Sequence, residues 1–359
     1  MATDWRLAYL RRLVRDRIYH ALGSLGSHAF VSLRWPWPLK KPYQRKRLLL
    51  RPPGAGIGDN LMCTPIFREI KRRNPHCHIS FVTRHPELFR DNPLLDQVIR
   101  HSNSKQDDRA LRLGYDHMAP RFTADRLLAE GIAAYRRAAN GRLYFGYSHP
   151  TPPPRPLIRI MAECVGMEFF DNQLDCAAPV VSEAFRNRVA AIPSPYIVIQ
   201  PHASDWTPNK EWPADYCREL INALVADYDV VEAGTRAVIG PEFQHPRFHC
   251  LAGGTSVSEF VYLVSRAHLF VGPDSGGMHI ANAFQVPSVV VFGGYSSPES
   301  FAYPRVCAFY TPVDCAPCWL ATPCPYDTKC LKMITPQQVL EAVHQTLGRH
   351  NPQPQLAPL

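Results

Sequence analysis

The chain has 359 residues, 46% hydrophobic and 20% charged, a globular composition and not a disordered one. Its length favours two domains over a single core, and no run approaches the ~20 apolar residues of a membrane-spanning helix. The net charge of +9 is carried by residues 1–50, which hold 11 Lys/Arg against 2 Asp/Glu, so the basicity belongs to an N-terminal appendage and argues against a nucleic-acid-binding body.

Residues 1–45 read as a basic amphipathic extension. Leu7, Leu10, Val14, Ile18 and Leu22 recur at helical spacing, with Arg6, Arg11, Arg12, Arg15 and Arg17 around them. The segment lacks the continuous apolar run and small-residue cleavage site of a signal peptide. Three uses are open: docking of residues 4–25 on an anionic membrane surface, aided by Trp35 and Trp37; a contact between subunits; or packing onto the body with a solvated basic face.

From residue 46 the pattern alternates. RKRLLLRPP predicts a strand, GAGIGDN a Gly-rich loop, and the following stretch a helix ending near Asn74-Pro75. HISFVTR is a strand, and PELFRDNPLLDQVI a helix and a short strand. A helix is expected around residues 124–140, and HPTPPPRP (149–156) is an extended connection. A second series starts after Pro195. YIVIQ, DVVEAGT, HLFVGPD and PSVVVFGG are strands; PADYCRELINALVADY and SVSEFVYLVSRA are helices, the latter capped by Ser256 or Ser258. Strands alternating with helices imply parallel sheets, hence two doubly wound α/β domains, residues 46–185 and 190–350, facing a cleft.

Ligands of open parallel sheets sit beyond the carboxyl ends of the strands. Three loops there carry chemistry. GAGIGDN is neither a P-loop nor a dinucleotide fingerprint; its Asp59 lies at a helix start, either as a simple cap or as a functional carboxylate. In VGPDSGGMHIANAF, Asp274-Ser275-Gly276-Gly277 open a helix whose amides and dipole suit a diphosphate, with His279 one turn in. The alternative is an ordinary turn capped by Asp274. In PHASDWTPNKEWP, Ser204, Thr207 and Lys210 supply donors, and Lys210 is a candidate phosphate contact.

Together, GIGDNLMCTPIFREIKRRNP, PHASDWTPNKEWP and VGPDSGGMHIANAFQVPSVVVFG resemble glycosyltransferase family 9, the heptosyltransferases, over about residues 46–345. The resemblance implies a GT-B fold, two Rossmann-like domains about a central cleft, with the acceptor on the N-terminal domain and an ADP-activated sugar on the C-terminal one. It implies inverting, metal-independent transfer with no catalytic cofactor. By position, Asp59 matches the general base and Lys210 the diphosphate-contacting lysine. Asp274, Ser275, Gly276, Gly277 and His279 match the donor loop, with Ser204 beside it. Gly234, Thr255 and Ser256 match the border of the nucleoside. Gly56, Gly58 and Asn60 fall on the acceptor-side loop. Gly277 stands where many members carry Pro or Leu. A helix N-terminus lowers an Asp pKa, so Asp59 is expected to be ionised at neutral pH.

Eleven cysteines without a secretory signal suggest a reducing, cytoplasmic compartment. Seven are scattered and read as small buried hydrophobes. Cys315, Cys318, Cys324 and Cys330 cluster within sixteen residues, a spacing suited to a tetrahedral structural site for zinc or iron. Two disulfides and free thiols are the alternatives. Among similar enzymes, autotransporter-modifying heptosyltransferases carry a four-cysteine iron site.

The reading is therefore a heptosyltransferase taking an ADP-sugar to a glycolipid or glycan acceptor such as lipopolysaccharide core, cytoplasmic or peripheral on the inner face of the inner membrane. The alternatives are a protein acceptor or a non-catalytic binding module.

Overall fold

The computed structural model describes residues 47–52, 54–101, 133–137, 143–147, 156–164, 167–203, 207–320 and 323–349. The expected N-terminal amphipathic helix, Trp35, Trp37 and Ser204 lie outside them.

The first sheet has three parallel strands in the order β1 (Arg47–Leu50), β2 (His78–Thr83), β3 (Gln97–Arg100), with Leu48 opposite Ile79 and Phe81 opposite Val98. The helix expected after GAGIGDN is two pieces, α1 (Ile57–Leu61) and α2 (Thr64–Arg73). Pro65 lies in the first turn of α2, where its missing N–H does no harm, and α2 ends before Pro75. Phe67 of α2 packs edge-on against Phe81 and Phe89, with ring centroids 4.8 and 6.3 Å away.

Residues 133–137 correct the sequence reading. They form a strand, β4 (Ala133–Arg137), paired antiparallel with β5 (Leu143–Tyr147), where a helix was expected. Asn140-Gly141, in the sequence between them, is a dipeptide common in hairpin turns. Next come α3 (Leu157–Cys164) and α4 (Glu183–Ala190), the latter capped by Ser182.

The second sheet has six parallel strands: β6 (Tyr196–Ile199), β7 (Asp229–Glu232), β8 (Phe248–Cys250), β9 (Leu269–Pro273), β10 (Ser288–Gly293) and β11 (Val306–Tyr310). Their order is β11-β10-β9-β6-β7-β8. Every residue of β6, β7, β9 and β10 is buried, which explains their near-continuous apolar runs. The helices are α5 (Ala214–Leu224), α6 (Val257–Ser265), α7 (Gly276–Ala283), α8 (Lys329–Lys332) and α9 (Pro336–Arg349). From β6 the chain winds one way to β8, then returns to β9 and winds the other way. The order thus reverses between β6 and β9, the place where such sheets bind ligands.

Among the described residues the halves meet at several points, two of which bear on the site. Helix α1 lies against α7. The segment 171–175 is strapped to both sides: Arg68 of α2 pairs with Asp171 (2.7 Å) and Asp175, while the Leu174 amide donates to Asn282 Oδ1 (3.2 Å) at the end of α7.

Candidate active site between the two sheets

At the β6–β9 switch point the loop after β6, the start of α7 and, from the other half, α1 converge. Asp59 is the third residue of α1. Its Oδ2 accepts the Gly56 amide (3.1 Å), so it does cap its helix. A Cβ on Gly54 would fall 2.3 Å from that carboxylate oxygen, and one on Gly56 3.0 Å. The glycines of GAGIGDN thus make room first for the loop's own carboxylate. Gly58 serves a different neighbour: a Cβ there would meet the His279 ring.

The expected depression of the Asp59 pKa is not what the structure shows. Burial raises it, the Gly56 amide and the Lys210 ammonium oppose that rise, and the Asp274 charge adds to it. A one-turn helix has too little dipole to offset desolvation.

Asn60, expected on the acceptor-side loop, makes its side-chain contacts within the fold. It is fully buried; its Nδ2 donates to Gly56 O (2.7 Å) and its Oδ1 accepts from Thr83 Oγ1 (2.6 Å). It ties the loop to the end of β2.

Across the cleft, Lys210 ends a short 3-10 turn, Pro208–Lys210. Its Nζ lies 3.0 Å from Asp274 Oδ2 and 4.6 Å above the Tyr295 ring centroid. Asp274 is buried and also accepts from Ser296 Oγ (2.6 Å). Burial would raise its pKa, but Lys210 and the Ser296 hydroxyl prevail and hold it below the usual carboxylate range. Asp274 thus anchors Lys210 and does not cap the helix; Ser275 occupies the cap position of α7.

Ser275 Oγ donates to Gln200 Oε1 (2.8 Å), and the Gln200 amide in turn donates to His202 O (2.9 Å). Gly277 has no room for a side chain: a Cβ would come 2.4 Å from Gln200 Oε1 and from Phe270. Gln200 and Phe270 therefore account for a glycine at this position. The first amides of α7 lack partners within their helix and, with its dipole, suit an anion.

His279 is buried. Its Nδ1 lies 2.7 Å from the Tyr303 hydroxyl, and Phe301 and Tyr303 pack edge-on to its ring. Burial lowers its pKa to about 4, against the pull of Asp274, so it is neutral at physiological pH.

On the far side of the switch point, Gly234 follows β7 with φ +136°, a conformation that favours glycine, and its carbonyl accepts the Gly253 amide (2.9 Å). Glu232 is wholly buried and accepts the amides of Val238 (2.6 Å), Ile239 (3.0 Å) and Gly240 (2.9 Å), which fixes this loop. Ser256 is the cap of α6 in a reciprocal box with Glu259, beside half-buried Thr255.

Sequence reasoning missed Gln200, Tyr295, Ser296 and Tyr303. Only Gln200 left a local trace, as the polar end of an apolar strand.

The four clustered cysteines are free thiols, each half-buried. The Sγ of Cys324 accepts the Tyr326 amide (3.4 Å), that of Cys318 the Leu320 amide, and that of Cys330 the Gly294 and Leu331 amides. Burial pushes the Cys318 thiol up to about 12, reinforced by Cys330, Cys315 and Cys324. Among the described residues, no group of three or more His, Cys, Asp or Glu stands in metal-holding geometry, so the expected tetrahedron is not closed.

Residues 158–318, the span that holds the Lys210 turn and the α7 loop, match the model of glycosyltransferase family 9 (heptosyltransferase). Over that span the chain is similar to glycosyltransferase family 9. The chain has the GT-B fold, which three similar solved structures share. One is E. coli ADP-heptose lipopolysaccharide heptosyltransferase II, 22% identical, covering 85% of this chain and 100% of that one at a TM-score of 0.58. Another is a family 9 glycosyltransferase from Veillonella parvula, 17% identical over 85% and 97% at 0.59. The third is the iron-containing dodecameric glycosyltransferase TibC of enterotoxigenic E. coli, 20% identical over 85% and 79% at 0.59. No curated protein matches the chain. Among the described residues of this glycosyltransferase, no helix is long and apolar enough to cross a membrane.

Proposed function

We propose that the protein transfers a heptose from an ADP-heptose donor to an acceptor hydroxyl with inversion, residues 46–185 taking the acceptor and 190–350 the donor. The observation that carries this reading is the placement of Asp59. Its carboxylate comes from one half of the molecule and lies within electrostatic reach of Lys210 and Asp274 of the other.

Inversion needs the hydroxyl to attack the anomeric carbon from the face opposite the departing ADP. Asp59 takes the hydroxyl proton as the new bond forms. Burial raises its basicity, which helps, since a base works best with a pKa near the working pH. Lys210 and the amides of residues 275–277 hold the diphosphate and stabilise its charge as the glycosidic bond breaks. Asp274 aims the Lys210 ammonium, Ser275 and Gly276 shape the anion seat, and Gly234, Thr255 and Ser256 border the nucleoside. Neutral His279 closes the cleft against Gly58.

Lipopolysaccharide core is the favoured acceptor, with the basic residues 4–25 bringing the enzyme to the anionic inner face of the inner membrane. A protein acceptor is the second reading, favoured by the four cysteines. Their chemistry suits a thiolate-bound zinc or iron, since three of the four already accept backbone amides, which stabilises a thiolate, but the sulfurs would have to draw together to hold it. When bound, such a metal supplies cross-linking and no step of the transfer.

The test is ADP release from ADP-heptose in the presence of lipid A–core acceptors or candidate protein acceptors. Turnover with the lipid acceptor alone supports the first reading and turnover with protein alone the second. Tight ADP binding without turnover on any acceptor would make the chain a binding module.

A further inference from the structure

We propose that the segment from Cys315 to Cys330 is the platform that positions Lys210, with Asn209 as the clip between them. The proposal rests on the reading of Lys210 as the donor-side cation.

The turn that carries Lys210 is three residues long, and so short a 3-10 turn has little hydrogen bonding of its own to fix it. The cysteine segment supplies fixtures. Thr207 Oγ1 and Asn209 Nδ2 both donate to the Leu320 carbonyl, at 2.8 and 2.9 Å. Asn209 Oδ1 accepts the Cys324 amide at 3.0 Å. Both ends of one buried amide are thus spent on the cysteine segment, immediately before Lys210 in the chain.

A second route reaches the other end of the lysine. Its ammonium rests on the Tyr295 ring, which packs against Trp319 with centroids 5.4 Å apart. The Tyr295 carbonyl accepts the Trp319 amide (3.1 Å) and the Gly294 carbonyl the Cys318 amide (3.0 Å). A Cβ on Gly294 would come 3.2 Å from Cβ and 3.3 Å from Sγ of Cys330. The root and the head of Lys210 are therefore both referred to the same sixteen residues.

Asn209 is a positioning residue, so its effect should pass through Lys210. The experiment is calorimetric titration of ADP into wild type, Lys210→Met, Asn209→Ala and the double variant, with thermal unfolding to confirm folding. Asn209→Ala should weaken ADP binding about tenfold, while in the Lys210→Met background it should change affinity by less than about twofold, since residues acting as one unit are not additive. Thr207→Val should move affinity the same way and replaces Asn209→Ala should that variant not fold. Wild-type ADP affinity in both folded variants, or full additivity with Lys210→Met, overturns the proposal. Unchanged ADP binding in Lys210→Met instead removes the donor-lysine reading, and this proposal with it.

Discussion

The bare α-carbon of Gly58 faces the ring of His279: a methyl group there would lie 2.3 Å from Cδ2 and 2.4 Å from Nε2. The ring cannot retreat, because Tyr303 holds its Nδ1 and Phe301 packs against it. In Gly58→Ala, α1 must therefore back away from α7 and carry Asp59 with it. A displacement of about 1 Å at a reacting group costs on the order of 100-fold in rate. We expect a loss of that order in transfer, with ADP affinity nearly unchanged because the donor loops are intact. Single-turnover rates beside ADP titrations check this.

Asp59→Asn keeps an oxygen for the Gly56 amide but removes the base, so transfer should fall about 10²–10⁴-fold without loss of fold. Because burial raises the Asp59 pKa, the acid limb of kcat/KM in wild type should lie above the ordinary carboxylate value of about 3.9. The same shift has a stability cost. The folded state binds this proton more tightly, so stability falls as pH rises from the unfolded pKa through the folded one. Asp59→Asn should then be more thermostable than wild type at neutral pH, and the gap should close as pH drops toward about 4. A Tm difference that does not vary with pH would refute this.

His279 gives the opposite slope. Its pKa is lowered from 6.5 to about 4, so the unfolded chain takes up a proton between these values that the folded one refuses. Stability is full above pH 6.5 and is lost as pH falls toward 4, by roughly 3 kcal/mol for this group. His279→Gln should flatten the urea midpoint against pH in that window.

Lys210→Met leaves Asp274 as an unpaired buried charge. Breaking such a pair costs about 3–5 kcal/mol, so the variant should lose both donor affinity and several degrees of Tm. Adding Asp274→Asn should restore much of the Tm and none of the affinity. Recovery of both would mean that Lys210 acts only through the fold.

Protein purified without added metal should carry about one zinc or iron per chain, and Cys324→Ser should abolish this and lower Tm. Elemental analysis with a thiol titration is the measurement. Four titratable thiols and no metal would end the metal reading.

The sequence by itself determined the parallel α/β plan, because buried strands leave apolar runs at regular spacing. It also determined the three chemical loops, because glycine, proline and acidic residues at strand ends are local signals. It misjudged residues 133–137, where local periodicity yields to pairing with residues 143–147, a partner outside any helical window. Only the tertiary structure decided what each site residue touches. Asn60 and Asp59 are neighbours in one loop, yet Thr83 claims the first for the fold while Lys210, about 150 residues on, shapes the charge of the second. The glycines of GAGIGDN show the same division: their presence is a local fact, but that they clear space for Asp59 and His279 follows from packing. Desolvation, which sets the pKa of both Asp59 and His279, is a property of the closed cleft, and no stretch of sequence carries it alone.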